Sequence, residues 1–242
     1  ISPNEFYSLM EESSDLPSTS QPSVKSFTNL YSRLLTHYDS VISIHVSSGL
    51  SGTWSGAQKA AEKISTETGK RISVLDSKTL SGPLGLLVYR IALAIEKGKT
   101  HDEVLTEYEK WAEFTEVMVS VKSMKNLVRS GRVSLLKGWF AKLLGIKPII
   151  AVNKEGKTYL MDRTFSQHGN MRRIVKHMKN LMENKKVWNY FILHANNKEG
   201  ADWFQQRIEP FAGKKPLSVL NTSPVIGTHI GDKTVAVAFM YE

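Results

Sequence analysis

The feature that most constrains this chain is an alternation of strand-like and helix-like segments over its first half. Residues 40–46 read as a buried strand, Ser47-Ser48-Gly49-Leu50-Ser51-Gly52 as a tight polar turn, and the stretch to about Glu67 as a helix. Residues 71–75 repeat the strand, 76–82 the loop, and a long helix is expected from Pro83. Parallel strands need long crossovers, and helices in those crossovers cover the sheet. The pattern predicts an α/β protein with a mainly parallel sheet in its first part, with residues 116–121 as a third strand.

Local signals bound the remaining helices. Ser2-Pro3-Asn4-Glu5 and Thr100-His101-Asp102-Glu103 are capping boxes, the first with proline at the opening helical position. Phe27, Leu30, Tyr31, Leu34 and Leu35 recur at helical spacing over residues 24–36. Near Ser123 the organisation changes. Two short helices ending at Gly131 and Gly145 precede a hairpin turning at residues 153–156. Beyond it come a helix over 167–183, a strand over 188–194, a helix over 201–211, and strands near 217–220 and 234–239. Two lobes are therefore expected, over residues 1–122 and 123–242, and 242 residues suffice to build them.

Composition narrows the function classes. The greasiest stretch, residues 84–95, is interrupted by Arg90 and reads as a buried helix, so no membrane span is expected. Cysteine is absent, which removes disulfides, thiolate metal sites and cysteine nucleophiles, and a cytoplasmic protein is the simplest expectation. Ile1 leads straight into a helix start, so an upstream segment is expected to have been removed. A formal charge of +9 favours anionic partners without choosing among them, since the basic residues form no long run.

Catalytic signatures fail residue by residue. Gly98-Lys99-Thr100 and Gly156-Lys157-Thr158 resemble the end of a phosphate-binding loop, but Leu93 and Ala151 stand where its leading glycine belongs. Gly49-Leu50-Ser51-Gly52-Thr53 approaches a nucleophile elbow, yet Thr53 replaces the closing glycine and no triad partner follows by spacing. The seven histidines form no metal-ligand pattern. What remains suits an oxygen anion: Ser51, Gly52 and Thr53 lie where a strand hands over to a helix start, with Ser51 equally readable as a helix cap. Thr19-Ser20-Gln21-Pro22-Ser23 is a loop of hydrogen-bonding side chains, also readable as a plain helix entry with Ser23 as cap. Arg132 and Arg163 read as surface charges, and His229 as a residue in a turn between Gly227 and Gly231. The segment 135–144 reads as a core helix or as a lid over a greasy tunnel.

In order, these pieces resemble the DegV family. Thr19-Ser20-Gln21-Pro22 is similar to its Thr-Ser-Gln-Pro signature, and residues 41–53, ending Ser47-Ser48-Gly49-Leu50-Ser51-Gly52-Thr53, to its strand and ligand loop. Leu127-Val128-Arg129-Ser130-Gly131-Arg132-Val133-Ser134, Ile146-Lys147-Pro148-Ile149, and Val225-Ile226-Gly227-Thr228-His229-Ile230-Gly231 match later family segments. The resemblance implies a two-lobed fold, a lipid tunnel in the second lobe, and a long-chain fatty acid as ligand without any cofactor or metal. Its carboxylate would be held at the loops between the lobes by Thr19, Ser51 and the Gly52 backbone, with Ser20 and Thr53 beside them. The resemblance further implies no catalysis by the chain itself. It implies presentation of the carboxylate to a separate fatty-acid kinase, or to a fused dihydroxyacetone-kinase-like domain, with Arg163 and His229 assisting.

Two departures accompany it. The family's opening strand before the equivalent of Ile1 is absent, and Gly231 is followed by Asp232-Lys233-Thr234 in place of a Gly-x-Gly element. Two other classes compete: a basic nucleic-acid-binding protein, for which no recognised motif exists, and a small-molecule hydrolase using Ser51.

Overall fold

The computed structural model describes residues 2–13, 15, 17–132 and 145–242. The segment 135–144, expected as core helix or tunnel lid, lies outside the described residues. Two compact units are formed. One comprises Ile1–Thr19, Phe114–Asn153 and Thr158–Glu242; the other comprises Ser20–Glu113 and Lys154–Lys157.

The Ser20–Glu113 unit follows the alternation read from the sequence. Its order is α2 (Val24–Leu35), β1 (Ser40–His45), α3 (Thr53–Thr68), β2 (Arg71–Asp76), α4 (Ser81–Glu96) and α5 (His101–Glu113), after α1 (Pro3–Glu12) of the other unit. Strands β1 and β2 pair in parallel, with His45 opposite Asp76 at their C-terminal ends. The α2 stripe of Phe27, Tyr31 and Leu35 meets Ala57, Ala60, Ala61 and Ile64 of α3 over Val41, Ile72 and Val74. Alanines on α3 let the two helices approach closely while still excluding water. Ser23 caps α2 by accepting from the Ser26 N–H, as expected of the helix-entry loop. Both arms of the Thr100 box form: the Thr100 N–H donates to Glu103 Oε2 at 2.7 Å and the Glu103 N–H to Thr100 Oγ1 at 3.4 Å. Helix α4 starts two residues before the predicted Pro83.

The other unit is built on a six-stranded sheet. Its strands are β3 (Thr115–Ser120), β4 (Lys147–Val152), β5 (Thr158–Thr164), β6 (Val187–His194), β7 (Ser218–Asn221) and β8 (Val235–Tyr241), in the order β5-β4-β3-β8-β6-β7. All neighbours are antiparallel except β6 and β7. Strand β8 is buried along its whole length, as a central strand covered on both faces must be. Helices α7 (Gln167–Leu181) and α8 (Lys198–Ala212) pack Ile174, Met178, Phe204 and Ile208 against Tyr190, Ile192, Val237 and Phe239. Among the described residues the short helices are α6 (Lys125–Arg129) and α9 (Pro224–Ile230); the second short helix expected to end at Gly145 lies outside them.

One expectation is corrected. The strand predicted at 116–121 does not join β1 and β2; as β3 it pairs antiparallel with β4 and β8. Alternation along the chain suggested a shared sheet, but Met118 finds its burial in the core of the six-stranded sheet instead. The lobe boundary drawn at 122–123 follows a change in local pattern, whereas the compact units follow packing and place Phe114–Asn153 together.

Candidate functional site

The Ser51 loop is set by the end of β1. After His45 the chain turns through Ser47, whose carbonyl accepts from the Leu50 N–H at 3.0 Å and the Ser51 N–H at 3.1 Å. This turn delivers Gly52 as the N-cap of α3, where Ser51 had been one expected cap. The Ser51 hydroxyl instead bonds Thr53 Oγ1 at 2.8 Å and accepts from the Thr53 N–H at 3.3 Å. The N–H groups of Gly52, Trp54 and Ser55 have no acceptor among the described residues. A helix start with free amides and two adjacent hydroxyls carries partial positive charge and donors without acceptors, which is the chemistry an oxyanion needs. Among the described residues the Ser51 hydroxyl is hydrogen-bonded to Thr53 and to no histidine.

Gln21, the neighbour of Ser20 in the Thr-Ser-Gln-Pro string, belongs to this site as well. A methyl group on Gly52 would lie 1.9 Å from Gln21 Oε1, so glycine is what allows the amide side chain to rest against the helix start. Ser20 itself is exposed and forms no described side-chain hydrogen bond. The signal for Gln21 was present in the Thr-Ser-Gln-Pro string; only the packing shows which member touches the helix.

A second set of residues lies in the other unit. Thr19 Oγ1 and His229 Nε2 are 3.2 Å apart. His229 is not in a turn, as read from its flanking glycines, but in the last turn of α9, which opens with Pro224 and closes at Gly231. Gly227 serves close packing there: a methyl group would lie 2.4 Å from the Tyr7 hydroxyl oxygen. Tyr7, almost fully buried, bonds Thr222 Oγ1 at 3.0 Å and so fixes the start of α9. Burial holds the His229 pKa below the usual histidine range, and the Arg132 guanidinium adds to the effect. The ring is therefore neutral near pH 7. Its Nδ1 is buried with no partner among the described residues.

Arg163 stands exposed on β5, where its N–H donates to Asp162 Oδ1 at 2.7 Å. Asp162 also takes both oxygens to Arg173 Nη1, at 2.5 and 2.6 Å. The structure thus brings Thr19 to His229, and Gln21, Ser51, Gly52 and Thr53 to one helix start. Among the described residues there is no cluster of three or more potential metal ligands, and no helix is long and apolar enough to cross a membrane.

Comparison with known proteins agrees with this architecture. Residues 1–242 match the family model described as "Uncharacterised protein, DegV family". A DegV domain-containing protein of Streptococcus pyogenes serotype M1 is 29% identical over 237 residues, covering 98% of this chain and 83% of the relative. A solved fatty acid binding DegV family protein from Streptococcus agalactiae superposes with a TM-score of 0.90 at 25% identity, covering 99% of this chain and 84% of the other. A structure from Thermus thermophilus, described as fatty acid binding of a DegV family protein, gives 0.87 at 28% identity over 99% and 85% of the two chains. With the family pattern matched from end to end and the fold shared with these structures, the chain belongs to the DegV family.

Proposed function

We propose that this protein binds a long-chain fatty acid and performs no chemistry on it. The observation that carries this reading is the open first turn of α3, where Gly52, Trp54 and Ser55 offer N–H groups beside the Ser51 and Thr53 hydroxyls. Such a turn suits a carboxylate, and the Streptococcus agalactiae and Thermus thermophilus relatives described as fatty acid binding support the choice of ligand. In the Ser20–Glu113 unit the proposed carboxylate contacts are Ser51 and Gly52, with Gln21, Thr53 and Ser20 nearby in sequence or packing. Thr19, hydrogen-bonded to His229, is a separate candidate contact that the family resemblance implies. Burial of the acyl chain contributes roughly 0.8 kcal/mol per CH₂, so the tail supplies most of the affinity and the polar head fixes orientation.

In this reading the bound acid is the substrate of a separate fatty-acid kinase, or of a fused dihydroxyacetone-kinase-like domain, with Arg163 and His229 assisting and a cytoplasmic setting. Native mass spectrometry of the purified protein, followed by lipid extraction, is the test. A stoichiometric fatty acid that is depleted in Thr19→Ala and in Ser51→Ala supports the proposal. A protein that carries no lipid and takes up no added fatty acid overturns it.

A further inference from the structure

We propose that Asp76 is the positioning residue of the Ser51 loop, acting as a hydrogen-bond acceptor and not through its charge; the proposal rests on the fatty-acid reading of that loop. Because β1 and β2 are parallel and in register at His45 and Asp76, the loops that leave their C-terminal ends emerge side by side. The two loops are then tied together. The Ser77 N–H donates to the His45 carbonyl at 3.1 Å, and the Ser47 N–H to the Thr79 carbonyl at 2.8 Å. Asp76 completes the joint with its side chain. Oδ1 accepts from the N–H groups of Ser48 at 3.1 Å and Lys78 at 3.0 Å, while Oδ2 accepts from the Ser48 hydroxyl at 2.5 Å.

Three donors from two loops thus converge on one carboxylate at the root of the turn that carries Ser51 and Gly52. The second loop is not a relaxed one, since Lys78 and Ser81 both take φ of 49°, a left-handed conformation unusual for residues with a side chain. Holding Lys78 there needs an acceptor placed for its N–H, and Asp76 supplies it. Binding an anion gains nothing from a nearby carboxylate charge, so the value of Asp76 lies in its acceptor geometry. Asparagine preserves that geometry. Its carbonyl oxygen takes over both N–H bonds of Oδ1, and its amide N–H₂ donates to the Ser48 hydroxyl, which turns to accept.

The experiment measures oleate dissociation constants and amide hydrogen exchange at Ser47, Leu50 and Ser51 in ligand-free protein, for wild type, Asp76→Asn, Asp76→Ala, Ser51→Ala and the Asp76→Ala/Ser51→Ala double variant. Asp76→Ala is expected to speed exchange at these amides and weaken oleate about tenfold, while Asp76→Asn stays within about threefold of wild type. The double variant should bind about as weakly as the weaker single one, because both changes disable the same loop. Equal loss in Asp76→Asn and Asp76→Ala, or additive losses in the double variant, overturns the proposal. Should Asp76→Ala fail to fold, Ser48→Ala replaces it: faster exchange with weaker oleate supports the role, and unchanged values overturn it. If wild type binds no oleate, the fatty-acid reading fails, and the exchange rates alone decide whether Asp76 orders the loop.

Discussion

The Thr19 hydroxyl and Nε2 of His229 lie 3.2 Å apart although 210 positions separate them along the chain. The contact ties Thr19 to the last turn of α9, and burial keeps the imidazole neutral so that one ring nitrogen can serve a hydroxyl rather than a counter-charge. The consequence is a histidine whose protonation works against the folded state.

His45, His101, His194 and His229 all have pKa values held below the usual 6.5, in each case mainly by burial. With folded pKa values below the unfolded ones, the unfolded chain binds more protons as pH falls through about 6.5 and below. The stability these neutral rings retain above pH 6.5 is therefore lost progressively on acidification. Urea unfolding between pH 5 and 8 should show the midpoint falling below about pH 6.5, and His229→Asn should flatten that fall. A midpoint that rises on acidification would refute the sign.

Gly227→Ala places a methyl group against the buried Tyr7, 2.4 Å from its oxygen and 2.8 Å from two ring carbons. Overpacking of this kind costs about 1–3 kcal/mol. The same substitution in a Tyr7→Phe background should cost less, because the closest atom is gone, and equilibrium unfolding of the four proteins measures the difference as a coupling.

Phe239 is fully buried at the middle of the sheet, on a strand flanked by β3 and β6. Its replacement by alanine removes packing from α7 and α8 together and should destabilise the protein by about 3–5 kcal/mol. Chemical denaturation followed by tryptophan fluorescence checks this, and a loss below about 1 kcal/mol would mean that the site collapses freely.

Under the proposed function, Arg163→Ala should keep its copurified fatty acid, since the exposed guanidinium lies on β5 and not on the Ser51 loop. It should yield far less acyl phosphate when mixed with a fatty-acid kinase and ATP. An unchanged yield would remove Arg163 from that role.

The sequence by itself determined the local elements. Helical spacing in α2, the capping residues Ser23 and Thr100, and the strand-turn-helix pattern from β1 to α3 all appear where short-range periodicity and capping chemistry place them. The loop carrying Ser51 and Gly52 was legible for the same reason, as a polar turn opening a helix. Tertiary structure alone decided the rest. Strand β3 joined the six-stranded sheet because a strand's own residues set its propensity but not its partner, and pairing depends on which apolar face covers it. His229 became helical because Pro224 starts a helix that the buried Tyr7 holds in place, not because of its flanking glycines. The Thr19–His229 bond, Gln21 against Gly52, and the Asp76 joint between two loops all unite residues far apart in sequence. Hydrogen bonds and van der Waals contacts act over a few ångströms of space, and no pattern confined to neighbouring residues encodes which distant groups the folded backbone brings within that reach.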